Sequence, residues 1–183
     1  MSKSLVSAFH IKPNNNLVLN DYDIFQDKEL LENLKDKIIE RVSDLKDETS
    51  ITSDLILQSI DYNTKDLNLS NAEKTYLYNL ADNEINGYGP LTEIMKDNAV
   101  KTIMVNSPND VYIETEAGYI KENNISFIND EHIVKTIKKL IEPLNIELNS
   151  SLLNTKLKDG SKLSAILPPL TINPVLMIKK YNH

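Results

Sequence analysis

Val100-Lys101-Thr102-Ile103-Met104-Val105, then Asn106-Ser107-Pro108-Asn109-Asp110, then Val111-Tyr112-Ile113-Glu114 is the stretch on which the fold turns. Two short runs rich in branched residues flank five residues dense in turn formers, the pattern of a β-hairpin. Downstream, Tyr119 to Phe127 continues the strand pattern after Gly118, and Asp130 is placed to cap a helix reaching Ile141. Ile133, Ile137, Leu140 and Ile141 recur on that helix at core-facing spacing, and Pro143 stops it. A second hairpin follows, with Leu153 to Leu157, the turn Lys158-Asp159-Gly160-Ser161, and the return Lys162 to Leu167. Pro168-Pro169 breaks that strand, and Val175 to Lys180 supplies another. A helix set among hairpins indicates an α+β domain with a mainly antiparallel sheet and helices on one face.

Upstream of the first hairpin the pattern is helical. From Asp27 to Lys46, Leu30, Leu31, Leu34, Ile38, Val42 and Leu45 form an amphipathic stripe about 30 Å long. A second helix runs from Ser53 to Tyr62. Ser70-Asn71-Ala72-Glu73 reads as a capping box, and Tyr76, Leu77, Leu80, Ala81 and Ile85 carry the apolar stripe of a third helix to Asn86. Gly87 is expected to close it in the left-handed conformation, and Gly89-Pro90 to redirect the chain so that Pro90 opens a short helix from Leu91 to Met95. The organisation expected is therefore a helical bundle over residues 27–86 and an α+β domain over 87–183. Residues 1–26 are polar, with Asn14-Asn15-Asn16, and read as a flexible arm or one weak strand.

The chain of 183 residues suits a domain with a smaller appendage. It contains no cysteine, hence no disulfide, thiolate metal site or cysteine nucleophile, which agrees with a reducing, cytoplasmic setting. Met1 to Ala8 lacks the apolar stretch of a signal peptide. The longest apolar run, Leu163 to Ile178, is broken by three prolines and is too short for the roughly 20 residues of a spanning helix, so direct membrane insertion is not expected.

Charge is unevenly spread. Residues 1–99 carry 18 acids and 10 bases, whereas 132–183 carry 3 acids and 8 lysines, so the C-terminal part is the one suited to anions. Lys135, Lys138 and Lys139 fall on a helix, and Lys156, Lys158, Lys162, Lys179 and Lys180 on or near strands. A solvated lysine face is the ordinary alternative to an anion site. Aromatic residues are too few there for a stacking platform, so nucleic acid is not an expected partner. His10, His132 and His183 are widely separated and no metal-ligand spacing occurs. Glu114 and Glu116 alternate on a strand, the one arrangement resembling a carboxylate pair, with a solvated edge as its ordinary reading.

One set of pieces, in order, goes further: Glu84-Ile85-Asn86-Gly87-Tyr88-Gly89-Pro90-Leu91, Ile103-Met104-Val105-Asn106, Val111-Tyr112-Ile113-Glu114, Leu157-Lys158-Asp159-Gly160-Ser161-Lys162, Ile166-Leu167-Pro168-Pro169 and Ile178-Lys179-Lys180-Tyr181. From about Asn83 to Tyr181 this order resembles the N-terminal, PAS-like domain of type II/type IV secretion ATPases of the tight-adherence (Tad) pilus type. No single piece is specific. Their joint order over about a hundred residues carries the resemblance, and the preceding helices resemble the family's N-terminal bundle in kind only.

The resemblance implies a cytoplasmic, hexameric, ring-forming ATPase peripheral to the inner face of the cell membrane, powering pilus assembly or protein secretion. Its N-terminal domain covers the nucleotide and moves against a RecA-like motor domain. Partners implied are that C-terminal motor, neighbouring subunits of the ring, and platform proteins of the inner membrane. The motor is not in this chain. Its four glycines, at 87, 89, 118 and 160, cannot form a phosphate-binding loop, and Gly160-Ser161-Lys162 reads as a hairpin turn. ATP and magnesium are therefore expected only with the full motor, and the chain alone is not expected to hydrolyse ATP; no catalytic residue and no metal ligand is assigned.

By resemblance Lys156, Lys162, Lys179 and Lys180 are the nucleotide-contacting positions, while Gly87, Gly89, Pro90, Asp159 and Gly160 are structural turn residues. The sequence departs from the family here. Lysines stand at arginine-type positions, Asn154 stands where aspartate is usual, and Leu144-Asn145-Ile146-Glu147 shortens an arginine-rich stretch. A lysine meets phosphate as a point charge without the two-point grip of a guanidinium. The alternatives from other classes are a stand-alone, non-enzymatic ligand-sensing module and an interaction scaffold that docks a partner through its helices.

Overall fold

A computed structural model describes residues 27–45 and 52–181. The arm or strand expected over residues 1–26 lies outside the described residues, as do His10 and His183. The described chain forms two compact units, divided between Gly89 and Pro90.

The first unit holds three helices, α1 (Lys28–Leu45), α2 (Thr52–Asn63) and α3 (Asn71–Ile85). Leu31, Leu34, Ile38 and Val42 of α1 join Leu55, Ile56 and Ile60 of α2 and Leu77 and Ala81 of α3 in one buried cluster. Each larger side chain so buried contributes roughly 1.5–3 kcal/mol. Leu30, Leu80 and Ile85 of the expected stripes pack against it half-buried, whereas Leu45 is 41% exposed and Tyr76 is 40% exposed. Leu45 is the last residue of α1. On α3 the buried line passes through Glu73, Leu77, Ala81 and Glu84, which turns the expected apolar face away from Tyr76.

The start of α3 is the capping box the sequence predicts. The Ser70 amide donates to Glu73 Oε2 at 2.7 Å, and the Glu73 amide donates to Ser70 Oγ at 3.3 Å. Its end differs from expectation. The helix closes at Asn86 in a right-handed conformation (φ −104°), whose amide reaches Asp82 O, and the Gly87 amide still reaches Asn83 O. The positive φ falls on Gly89 instead, at 57°. Because the i→i−4 ladder carries the chain through Gly87 without reversal, the glycine freedom is needed two residues later.

A 3₁₀ turn over Gly89–Leu91 leads into α4 (Thr92–Lys96) of the second unit. There follow β1 (Thr102–Ser107), β2 (Asp110–Thr115), β3 (Gly118–Lys121), α5 (Asp130–Ile141), β4 (Leu152–Lys156), β5 (Lys162–Ile166) and β6 (Val175–Lys179). The six strands make one sheet in the order β3-β2-β1-β6-β5-β4, every neighbouring pair antiparallel. The architecture is α+β.

Alternation divides the sheet into two faces. Ile103, Val105, Val111, Ile113, Leu163, Ala165, Leu176 and Ile178 are buried on one, and Ile133, Ile137, Leu140 and Ile141 of α5 complete the core of this unit. The intervening residues are mostly exposed or half-buried, which leaves the second face open. Register on the core face is tight: Ile103 lies opposite both Ile113 and Ile178.

Two further expectations are corrected. The strand expected from Tyr119 to Phe127 ends at Lys121, because the Glu122 amide makes the last bond to β2, at Val111 O, and β2 itself begins at Asp110. The cap of α5 is Asn129, whose side chain accepts from the His132 amide; Asp130 is the first helical residue and accepts from Asn173 Nδ2.

Candidate functional site

The register of β4, β5 and β6 brings three of the four candidate lysines into one line. Lys156 lies opposite Lys162, and Lys162 lies opposite Lys179. Directly opposed residues point to the same face with Cβ atoms about 4.5–5.5 Å apart. All three side chains are exposed on the open face, and among the described residues none forms an ion pair. Like charges directly opposite each other are destabilising, so the row favours an anion that takes up their charge.

The same line continues across the sheet through Thr102, Glu114 and Tyr119. Thr102 Oγ1 donates to Glu114 Oε2 at 2.6 Å, which occupies the carboxylate at that end. Positive charge is thus concentrated on the β4–β5–β6 side. The neighbouring line of the same face is Asn154, Ser164, Met177, Met104, Tyr112 and Lys121. Asn154 and Ser164 set neutral hydrogen-bonding groups beside the lysines. At the far end Lys121 is held by Asp110 at 2.8 Å. That bond, with another from Asn106, keeps the Asp110 carboxyl below its usual range.

Lys180 stands apart. Its ammonium donates to Asp97 O at 2.6 Å and its amide to Lys101 O, tying the end of β6 to the connection that precedes β1. Burial pushes its pKa below the usual lysine range, against the opposing pull of Asp97 and Asp159. Lys180 does not join the row.

The β4–β5 turn sets the spacing of Lys156 and Lys162. Asp159 Oδ1 accepts from the Ser161 amide and Oδ2 from Ser161 Oγ, both at 2.9 Å. Gly160 has φ 90°, and a Cβ there would lie 3.2 Å from the Tyr181 ring. Tyr181 is fastened over the turn by its amide, which donates to Ser161 Oγ at 3.2 Å, and Lys156 Nζ lies 5.7 Å from the centre of its ring. Tyr181 is the site neighbour that sequence reasoning missed. Its proximity depends on β6 pairing with β5, a contact between segments distant in sequence.

Other candidates resolve into structure. Glu114 is in β2, whereas Glu116 lies beyond the end of that strand and pairs with Lys101 at 3.8 Å, so the two do not form a carboxylate pair on one strand. His132 is buried in α5, accepts from the Ile128 amide at 3.3 Å and meets the Phe127 ring edge-on. Among the described residues, no group of three or more His, Cys, Asp or Glu is placed to hold a metal ion. No helix of the described residues is long and apolar enough to cross a membrane.

The chemistry open to this face is electrostatic. Three ammonium groups can attract an oxyanion, but the row contains no base, nucleophile or carboxylate with which to transform it.

The chain matches no protein-family profile and no curated protein sequence. Among solved structures it is similar to the VirB11 ATPase from the Brucella suis type IV secretion system in complex with sulphate, with 19% identity and a TM-score of 0.43. The likeness covers 51% of this chain and 30% of that one, so the shared part is less than a third of that protein.

Proposed function

We propose that this chain is the N-terminal part of a secretion or pilus-assembly ATPase of the tight-adherence type, in which the open sheet face covers a nucleotide bound by a separate motor domain. The observation that carries the reading is the in-register row Lys156–Lys162–Lys179. Lys162 and Lys179 come from two of the motifs on which the sequence resemblance rests, and Lys156 ends β4, the strand that leads into the first of them.

The residues fit part of such a ligand. Three ammonium groups match the charge and oxygen-rich surface of a di- or triphosphate, with Asn154 and Ser164 alongside to accept or donate hydrogen bonds. The face does not fit magnesium, which takes oxygen ligands in octahedral geometry; those would come from the motor. When bound, the nucleotide supplies the phosphoryl group and its free energy. The part of this chain is to screen phosphate charge from above and, with a motor beneath, to exclude water.

In this reading the assembly is a hexameric ring at the cytoplasmic face of the inner membrane. Its partners are the motor domain, neighbouring subunits and membrane platform proteins. Chemical-shift mapping of this chain during titration with ATP tests the central step. Shifts confined to Lys156, Lys162, Lys179 and their neighbours, weakening as salt is raised, are expected. An unaltered open face at millimolar ATP would overturn the nucleotide role.

A further inference from the structure

The second unusual surface lies away from the lysine row, on the loop between β5 and β6. Residues 167–174, Leu-Pro-Pro-Leu-Thr-Ile-Asn-Pro, carry no charge, yet Leu170 is 64% exposed and Ile172 is 93% exposed. The loop is a held structure. The Leu170 amide donates to Leu167 O, Thr171 Oγ1 donates to Asn173 O at 2.6 Å, and Asn173 Nδ2 reaches Asp130 at the start of α5. Such bonds fix an apolar branched side chain in water, a position that burial elsewhere would relieve.

Beside the loop is a largely apolar groove of about 400 Å³, lined by Val134, Pro168 and Pro174 with Asp130, Glu131, Lys135 and Lys138 at its rim. A projecting apolar loop and an open, largely apolar groove thus lie on one surface. The rim charges are ordered, with acids at the N-terminal end of α5 and lysines one to two turns later.

We infer that this surface binds a second copy of the same chain about a two-fold axis. A two-fold contact is self-complementary, so each copy offers both its Ile172 and its groove. With the α5 helices antiparallel and the axis between Val134 and Lys135, Glu131 of one copy falls opposite Lys138 of the other, twice. That register pairs opposite charges across the rim, while Ile172 and Leu170 of each copy cover the groove of its mate. Moving the axis two residues toward the C-terminus would set Lys135 against Lys138, which like-charge repulsion disfavours. The inference does not depend on the nucleotide reading, since none of its residues belongs to the lysine row.

Sedimentation velocity of the whole chain, from about 1 μM to about 1 mM, is the test. The weight-average mass is expected to rise from the 20.8 kDa of one chain toward twice that value. Ile172→Asp and Val134→Glu are each expected to hold the mass at one chain with an unchanged circular-dichroism spectrum. Glu131→Lys and Lys138→Glu should each weaken association at least tenfold, and the double exchange should restore it. A wild-type chain that stays monomeric throughout, or a dimer indifferent to Ile172→Asp, would overturn the surface. A dimer lost on single charge exchange but not restored by the double would overturn the two-fold register. Association only with a different protein would replace the second copy as occupant.

Discussion

Replacing Gly160 by alanine tests how the β4–β5 turn, and with it the lysine spacing, is maintained. Two costs arise. The first is conformational: φ is 90° at Gly160, a backbone state that L-residues rarely adopt, with a penalty of about 1–3 kcal/mol. The second is steric, because the new Cβ would lie 3.2 Å from Cγ and Cδ1 of Tyr181 and 3.3 Å from its Cβ. The ring must then move by a few tenths of an ångström, and overpacking of this kind costs about 1 kcal/mol or more. Gly118 separates the two effects, since its φ is 108° but nothing lies within 4 Å of a Cβ placed there. Gly118→Ala therefore carries the conformational cost alone, and Gly160→Ala should lose at least about 1 kcal/mol beyond it. For a unit of this size that excess lowers Tm by about 4–8 °C, readable by thermal melts followed by far-ultraviolet circular dichroism. In a double-mutant cycle, Tyr181→Ala, which removes the ring and keeps Cβ, should absorb most of the excess. Equal losses for the two glycine variants, or an excess undiminished by Tyr181→Ala, would refute the packing of Tyr181 over the turn.

Three other outcomes follow from the structure. Ser70→Ala removes the acceptor of the α3 capping box and should cost about 1 kcal/mol, seen as a lower urea midpoint at unchanged m-value; no shift would mean that the bond at 3.3 Å contributes nothing. Lys162→Glu turns two like-charged cross-strand contacts into opposite-charged ones, so it should stabilise the sheet by roughly 0.2–1 kcal/mol per contact at low salt while weakening ATP binding. An unchanged or lowered melting point there would argue that the lysines do not feel one another. Burial raises the Glu122 pKa above its usual range. As pH rises past the ordinary carboxylate value, the unfolded chain ionises before the folded one, so this group's stabilising contribution is complete below the unfolded pKa and is lost on passing the folded pKa. Glu122→Gln should flatten that part of the stability–pH curve, and an unaltered curve would exclude Glu122 as its source.

Much of this architecture was legible because it is written in local chemistry. The capping box needs only Ser70 and Glu73 three residues apart, and the β4–β5 hairpin needs only the Asp159-Gly160 turn between two alternating runs. That Lys156 lies opposite Lys162 was not legible, because a turn over residues 158–161 would by symmetry set Leu157 opposite Lys162. The helix end at Gly87 was misread because a left-handed glycine and a glycine carried on the helical ladder look alike in sequence. Which of the two occurs depends on where the chain must go next. The same limit applied to α5, where Asn129 and Asp130 both have the chemistry of a cap and the hydrogen-bond geometry selects Asn129.

The sequence by itself determined the α+β class, the two hairpins, the order of helices and the basic character of the C-terminal part, because periodicity, turn residues and charge act over a few neighbouring residues. Only the tertiary structure decided that Lys179 completes the row begun by Lys156 and Lys162, that Lys180 is spent on Asp97 O, and that Tyr181 covers Gly160. Each of these rests on the register of β6 between β1 and β5. That register follows from burying Leu176 and Ile178 among residues far away in the chain, and a slip of one residue would exchange the buried face for the open one.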